Sequence, residues 1–307
     1  MSDPLTKPLE QFAERTGKAL GHDAGKAGEK VVHEMGTGLE KVSTNAVETE
    51  AKHVKDIEDI KKGLHEDIGD TPVYRMKDDG TVERLTPGGA KALTDEDRAR
   101  LNLKLDGDDK APSRQHPKGT PNPHNLPKVK KGTARPRVSS TRTDLGEGDL
   151  AKATQLARHE DGSYGNYKKD PETGEYSFES NNYAAVRHGE KGADGSYIMV
   201  GRSDNPMHSE RALGIPYLKS DSAGGITEVY TEREPCTNDP HVPGQPRATT
   251  TPNCAAWMHH YLPPSVQVSH SVEYGATDAS KAAGNSSMEN YLNGLNPNPS
   301  KHAPSAP

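Results

Sequence analysis

The sequence predicts an α/β protein in which a mixed sheet covered by helices follows a helical N-terminal region and a disordered basic linker. Three observations predict it. From residue 144 onward, strand-like and helix-like segments alternate, which is typical of a sheet covered by helices. Only 30% of the 307 residues are hydrophobic, too few to order the whole chain. Between residues 111 and 143, eight basic residues and six prolines occur without one acidic residue.

The composition excludes several classes of protein. No stretch of about 18 apolar residues occurs, so no membrane span is expected. The first residues carry no apolar core of the kind that a secretory signal peptide needs, so none is expected here. The chain has two cysteines, which is too few for a disulfide scaffold.

The first 110 residues predict two small units without evident chemistry. Residues 1–65 form an amphipathic helical region, in which Val54, Ile57, Ile60 and Leu64 share one helical face. Residues 66–110 form a partly ordered unit, with a hairpin turning at Asp79-Gly80 and a short helix capped by Thr94. An adaptor or delivery role is the simplest interpretation of this half.

The basic stretch over residues 111–143 predicts an irregular linker, because its proline content is incompatible with helix or strand. Two interpretations remain open for it. It could be a solvated spacer, as charged linkers commonly are. It could also be a tether that neutralises phosphates and loads the chain onto nucleic acid.

Residues 144–295 predict one compact domain, followed by a disordered tail over residues 296–307. Strands and helices alternate within it, and parallel strand pairs are expected at the crossovers. The predicted elements, in chain order, are a helix from near Asp149, a hairpin of Tyr183–Val186 and Tyr197–Arg202, a helix starting at Asn205-Pro206 and stopping at Gly214 and Pro216, a strand from Ile226 to Glu232, a helix over Cys254–Leu262, a strand over Val266–Tyr274 and a helix over Ser280–Leu295.

The two cysteines and one histidine occupy matching places in this pattern. Cys236 follows a predicted strand, Cys254 opens a helix, and His208 lies near the start of the preceding helix. A helix N-terminus favours the thiolate that a metal needs. Zinc held by one histidine and two cysteines leaves its fourth position to water, as in catalytic sites. Glu210, two residues after His208, is then a carboxylate that could move protons without binding the metal.

These residues resemble the H-x-E…P-C…C signature of the zinc-dependent nucleobase deaminases. HSERAL (residues 208–213), YTEREPC (230–236) and CAAWM (254–258) are similar to deaminase domains at the C-termini of bacterial polymorphic toxins. The resemblance covers about residues 141–295 and implies a cytidine-deaminase-like fold. It implies that His208, Cys236 and Cys254 bind Zn²⁺ and that Glu210 is the catalytic proton shuttle. Asn205 matches, more weakly, a position that often contacts ribose.

The sequence departs from the family pattern in the spacing of its cysteines. The family has C-x-x-C, whereas 17 residues separate Cys236 from Cys254. The segment between them must loop out and return Cys254 to within about 4 Å of Cys236, as two sulfurs on one zinc require. His241, inside this segment, is a rival ligand.

The function expected from the resemblance is a zinc-dependent hydrolytic deaminase of a nucleobase that acts as a secreted bacterial toxin. Cytosine in nucleic acid is the favoured substrate, with a free nucleoside or nucleotide as the alternative. Such toxins leave the cell through specialised secretion machinery, here by way of the N-terminal region, act in the cytoplasm of a target cell and are matched by a cognate immunity protein. Residues 144–278 carry 20 acidic and 11 basic residues, which repels phosphates at long range.

Two other functions remain open on the sequence. The first is a zinc-dependent nuclease or other hydrolase toxin, in which Glu210 activates water against a phosphate or carbonyl. The second is a non-enzymatic interaction protein, in which the cysteines bind structural zinc or form a disulfide. A fourth protein ligand closing the metal site would favour this last function.

Overall fold

The computed structural model describes residues 52–117, 122–130, 133–204, 207–237, 253–275 and 277–297. The chain divides into two compact units, Met1–Asp56 and Ile57–Pro307. Only residues 52–56 of the first unit are described, so most of the predicted helical region at 1–65 lies outside the described residues. The predicted tail lies almost entirely outside them too.

An eight-stranded mixed sheet organises the second unit, with the strand order β3-β2-β1-β8-β7-β9-β10-β4, and β5 and β6 form a separate ribbon. The strands are β1 (Val73–Met76), β2 (Val82–Thr86), β3 (Gly89–Lys91), β4 (Ser140–Arg142), β5 (Asn166–Lys169), β6 (Tyr176–Glu179), β7 (Tyr183–His188), β8 (Tyr197–Arg202), β9 (Ile226–Arg233) and β10 (Gln267–Val272). The helices are α1 (residues 52–68), α2 (Asp95–Arg100), α3 (Asp149–Asp161), α4 (Ser209–Lys219), α5 (Cys254–Tyr261) and α6 (Asp278–Leu295), with a short 3₁₀ turn at Ala223–Gly225.

The pairing of the strands brings many of their ends to one edge of the sheet. β1 with β8, β9 with β10, and β10 with β4 are parallel pairs. β7 runs antiparallel to both β8 and β9, as the predicted hairpin requires. The carboxyl ends of β1, β8, β9, β10 and β4 therefore lie along the same edge, and α4 and α5 begin there.

Helices cover the sheet on both faces. Met199 of β8 packs in one buried cluster with Leu213 of α4 and Trp257 of α5. Its neighbour Ile198 packs in a second cluster, with Leu156 of α3. Because successive residues of a strand point to opposite faces, these two clusters are the two sides of the sheet. The predicted α/β architecture, a mixed sheet flanked by helices, is thus confirmed.

The hairpin and helix predicted within residues 66–110 are confirmed. β1 and β2 pair antiparallel around Asp79-Gly80, and Thr94 caps α2 through a reciprocal capping box with Asp97. Strand β1 then pairs with β8, so the hairpin extends the main sheet. Within the second unit, α1 contacts the core only at its C-terminal end, through Leu64 and Ile68.

The bounds predicted for the helix after β8 are wrong. α4 begins at Ser209, with His208 as its N-cap, whereas Asn205 and Pro206 lie outside the described residues. The helix also continues through Gly214 and Pro216 to Lys219. Gly214 serves packing here, because a Cβ at this position would lie 2.5 Å from the Trp257 ring.

Strands β3 and β4 and the ribbon of β5 and β6 were not predicted. β3 and β4 have three residues each, and the four-residue strands of the ribbon are mostly exposed, so all of them are too short for a clear strand pattern. Phe178 of the ribbon packs beside Val272, Met288 and Leu292, which fixes the ribbon against β10 and α6.

The linker is irregular where it is described, as its prolines predict, until it reaches β4. It is nevertheless held to the domain. The indole Nε1 of Trp257 donates to the carbonyl of His124 at 2.8 Å, and the amide of Val138 donates to the carbonyl of Ala255 at 3.1 Å. We call the described residues 122–130 and 133–139 the strap. These residues are therefore not a freely solvated spacer.

A buried histidine in α3 makes the stability of the fold depend on pH. Burial lowers the pKa of His159 from 6.5 to about 4. Between these two values the unfolded chain binds a proton that the folded protein does not, so the free energy of unfolding falls as the pH falls through this window. A pKa difference of this size corresponds to roughly 3 kcal/mol by pH 4.

We therefore expect His159→Gln to flatten this acid-side dependence. Urea unfolding at intervals between pH 7 and pH 4 measures it for both proteins. The wild-type and variant curves should converge toward pH 4, and curves that stay parallel would contradict the assignment to His159.

Candidate functional site

Three side chains that the sequence singled out meet where α4 and α5 begin. His208 is the N-cap of α4, and Cys254 is the first residue of α5. Cys236 follows the end of β9 by three residues. The topology brings them together because β9 ends at the sheet edge where both helices start.

The geometry of this cluster fits a tetrahedral metal ion. The Nδ1 atom of His208 lies 3.5 Å from the Cys236 sulfur and 3.4 Å from the Cys254 sulfur. A tetrahedral zinc with bonds of about 2.3 Å to sulfur and about 2.0 Å to nitrogen places such atoms about 3.5 Å apart. The three ligand atoms all lie within 4.8 Å of one another. The donor set of one imidazole and two thiols is one that zinc commonly takes.

Contacts at the two ends of the segment between the cysteines place the second cysteine. The amide of Cys254 donates to the Cys236 sulfur at 3.2 Å, and the amide of Ala255 donates to the Cys236 carbonyl at 3.2 Å. The Asn253 side chain caps α5 by accepting from the Ala256 amide at 2.9 Å. The required return of Cys254 to Cys236 is thus met. His241, the rival ligand, lies outside the described residues.

The two thiols differ in their tendency to ionise. A hydrogen bond from Cys254 and the neighbouring His208 hold the pKa of Cys236 well below its ordinary range. Burial raises the pKa of Cys254 well above it. Cys236 is therefore the more acidic of the two thiols, and a metal that binds both sulfurs as thiolates must displace a proton.

The site matches neither non-catalytic alternative raised by the sequence, which were a disulfide and a metal site closed by a fourth protein ligand. Both cysteines are free, so they form no disulfide. Within the described residues, the group of possible metal ligands holds His208, Cys236 and Cys254 and no fourth member. Three ligands leave a tetrahedral metal open to solvent or substrate.

Glu210 lies beside this cluster, in the first turn of α4. Its side chain is buried, and burial raises the pKa of its carboxyl. A carboxyl whose pKa is moved toward neutrality is suited to accept and return a proton. The Ser209 hydroxyl donates to its Oε2 atom at 3.2 Å.

Asn182, which the sequence analysis missed, ties the elements around Glu210 together. Its Nδ2 atom donates to the Ser209 hydroxyl at 2.8 Å and to the Thr231 hydroxyl at 2.7 Å. Its Oδ1 atom accepts from the Arg233 amide at 3.0 Å. The start of β7, the start of α4 and the end of β9 are thus joined by one side chain. No sequence pattern marks it, because an asparagine before a strand also suits an ordinary turn.

We expect Ser209→Ala to lower kcat about 10-fold or more, since it removes a hydrogen bond to a charged group that is worth about 1.5–3 kcal/mol. The KM and the zinc content should stay near the wild-type values. Thr231→Val is the matched control, because it removes another hydrogen bond of Asn182 while keeping the Ser209–Glu210 contact. Equal losses of kcat in both variants would show that the contact to Glu210 is not what matters.

The cluster faces a cavity of about 730 Å³, a volume typical of ligand sites. His208, Glu210 and Cys236 are part of its wall. The remaining wall comes from the ends of α3 and β9, the ribbon and α6. It includes Tyr164, Phe178, Asn182, Arg202, Arg233 and Tyr274.

Two arginines bring positive charge to this wall. Arg202 forms a salt bridge to Asp78 at 2.5 Å. Arg233 donates to the Ser180 hydroxyl at 2.9 Å and lies 5.7 Å from the Tyr274 ring centre. Burial lowers the pKa of Arg233, and no carboxylate in the described part of the chain forms a salt bridge with it. A guanidinium in that position suits an anionic group of a ligand.

A buried ion pair supports the cavity from within the fold. The Arg158 Nε and Nη2 atoms donate to the Glu232 carboxylate at 2.5 and 2.6 Å, and both side chains are fully buried. Arg158 also donates to the carbonyls of Ser163 and Asn181 at 2.6 and 2.8 Å. Because Ser163 and Asn181 line the cavity, the pair holds its wall to α3 and β9.

Comparison with known proteins finds a family match. A family model described as Xanthomonas-like deaminase matches residues 179–290, which is less than half of the chain and contains the whole metal-ligand cluster. This supports a deaminase-family domain over those residues. No curated protein and no solved structure shows significant similarity to the chain.

None of the helices in the described residues combines the length and the apolar character needed to cross a membrane.

Proposed function

We propose that the deaminase-family domain binds one zinc ion through His208, Cys236 and Cys254 and hydrolytically deaminates a nucleobase, with cytosine in nucleic acid as the favoured substrate. The observation that carries this proposal is the meeting of those three ligand atoms beside buried Glu210 at a cavity. The deaminase-family match over residues 179–290 supports the reaction class.

The overall reaction replaces an amino group by a carbonyl oxygen. Water adds to the ring carbon that bears the amino group, the carbon–nitrogen bond breaks, and ammonia leaves. When bound, zinc supplies a Lewis acid that makes water a nucleophile near neutral pH.

The protein's own groups move the protons. Glu210 takes a proton from the attacking water and passes it to the ring nitrogen. It then takes the second proton, from the hydroxyl that has added to the ring carbon, and passes it to the leaving amino group. The Ser209 hydroxyl orients its carboxylate. The raised pKa of Glu210 favours the steps in which Glu210 gives up a proton, because these steps need its protonated form.

The cavity wall favours a substrate that carries phosphate. Arg233 offers a half-buried cation without a described salt-bridge partner, and Tyr164, Phe178 and Tyr274 add aromatic rings to the same cavity wall. Aromatic faces and guanidinium groups suit bases and phosphates, respectively. We therefore favour nucleotides, within a polymer, over a free nucleoside.

The biological setting belongs to the same proposal. We infer a toxin that is secreted by a specialised system, uses its N-terminal region as the export handle, acts in the cytoplasm of a target cell and is neutralised by a cognate immunity protein. The similarity of HSERAL, YTEREPC and CAAWM to polymorphic-toxin deaminases supports this setting.

Incubation of the full-length chain with single-stranded DNA, double-stranded DNA, RNA and free cytidine tests the reaction. Ammonia release, with cytosine-to-thymine changes on sequencing of the DNA, is expected. Chain scission without ammonia would replace the proposal by the nuclease alternative.

A further inference from the structure

The strap lies within the strongest run of positive charge in the chain. Residues 111–143 hold eight basic and no acidic residues. Arg114 forms salt bridges with Asp204 and Asp78. Lys128, Lys130 and Arg142 are exposed and form no salt bridge within the described residues.

The strap is fixed along the length of α5. Near the C-terminal end of this helix, the Tyr261 hydroxyl contacts the carbonyls of Pro123 and Asn125 at 2.7 and 2.8 Å, and Trp257 donates to the carbonyl of His124. Near the N-terminal end, Val138 donates to Ala255, the residue next to the metal ligand Cys254.

α4 forms a second anchor for the strap. The Arg211 guanidinium, next in sequence to Glu210, donates to the Asn125 side chain at 3.0 Å. The indole, phenol and guanidinium contacts hold the strap to the two helices that begin at the metal cluster. Its cations are therefore presented by a folded surface rather than by a free tether.

The strap leads into a strand whose carboxyl end lies at the edge of the sheet where β9 ends. After residue 139 the chain enters β4, which pairs in parallel with β10 and places Arg142 opposite His270. β4 and β10 therefore end at the same edge as β9, which leads to Cys236. Arg142 is the last residue of β4 and is exposed at that end of the strand.

We propose that the strap and the end of β4 bind the phosphate backbone of a nucleic acid and lead it to the cavity. The inference rests on the proposed function in its choice of partner. The domain that follows the strap is acidic, with 20 acidic against 11 basic residues over 144–278. A polyanion approaching it needs a local surface of opposite charge, and the strap supplies one beside the metal cluster.

Binding of a fluorescent oligothymidine strand to the full-length protein, followed by anisotropy, tests the proposal. Thymine has no amino group to remove, so the measurement does not depend on turnover. The test variant is Lys128→Gln/Lys130→Gln/Arg142→Gln. The control is Lys62→Gln/Lys104→Gln/Lys191→Gln, which removes the same charge from exposed lysines elsewhere.

The strap variant should bind about tenfold or more weakly at low salt, and the slope of log affinity against log salt should fall in magnitude by about 2, as expected for three lost contacts to a single strand. The control should stay within about twofold of the wild type. Equal losses in the two variants, no binding by the wild type, or equal competition by polyglutamate would overturn the proposal.

The result is separable from the proposed function. Strap-dependent binding without deamination of any substrate would reject the deaminase proposal and keep the strap as a nucleic-acid surface. Deamination of both cytidine and oligonucleotides, with binding unchanged in the strap variant, would reject the strap proposal and keep the deaminase proposal.

Discussion

Replacing Glu210 by glutamine is expected to lower kcat for deamination at least about 100-fold, because a positioned acid or base contributes about 10²–10⁴ to rate. Glutamine keeps the size of the side chain and can still accept the hydrogen bond from Ser209. It cannot carry a proton. Zinc content should stay at the wild-type level, because Glu210 is not part of the ligand cluster.

The measurement combines ammonia release with metal analysis of the purified variant. Glu210→Ala should likewise lose both deamination and toxicity to cells while it keeps zinc. An active Glu210→Gln protein, or one that has lost its metal, would contradict the role given to this carboxylate. A matched control is Glu234→Gln, which neutralises another acid of the cavity wall outside the ligand cluster.

Among the substitutions considered, breaking the Arg158–Glu232 pair is expected to lower the free energy of unfolding the most. Arg158→Met leaves the Glu232 carboxylate buried without its partner, at a cost of about 3–5 kcal/mol. It also leaves the carbonyls of Ser163 and Asn181 without a donor. Urea unfolding of the metal-loaded proteins at pH 7 measures this loss.

The double variant Arg158→Met/Glu232→Leu provides the control. With both charges removed, the cost should fall below that of Arg158→Met alone, since a buried pair is often replaceable by apolar groups. A single variant that loses less than about 1 kcal/mol would show that the pair does not support the cavity.

The meeting of His208, Cys236 and Cys254 was predictable because its signals are local. A histidine before a helix, a Pro-Cys pair after a strand and a cysteine opening a helix each stand at a predicted end of an element. Because the cysteines are far apart in sequence, only the distance between their sulfur atoms in space could not be predicted. The amides of Cys254 and Ala255 donate to Cys236 and hold the two cysteines together. The residue types alone do not predict these contacts.

The surroundings of the cluster could not be predicted in the same way. Asn182 acts through three partners from different elements, which come together only in the folded chain. The ribbon that contributes to the cavity wall has strands of four mostly exposed residues, which are too short for a clear strand pattern. The docking of the strap depends on carbonyl groups that receive the Trp257 indole and the Tyr261 hydroxyl. The one available hint was that a buried indole needs an acceptor.

The bounds of α4 show that a glycine can be present for packing rather than to end a helix. Gly214 and Pro216 are ordinary signals for the end of a helix, yet α4 runs through both. The glycine is there because the Trp257 ring occupies the space of a side chain. Tertiary packing thus outweighs the local preference.

Zinc stoichiometry tests the central claim most directly, because the proposed chemistry depends on a metal held by His208, Cys236 and Cys254. Native mass spectrometry of the purified full-length chain should find one zinc per chain. His208→Ala and Cys254→Ser should each lose it, and His241→Ala, which alters the rival ligand between the two cysteines, should retain it. A wild-type protein that binds no zinc, or a His241→Ala protein that loses it, would contradict the claim.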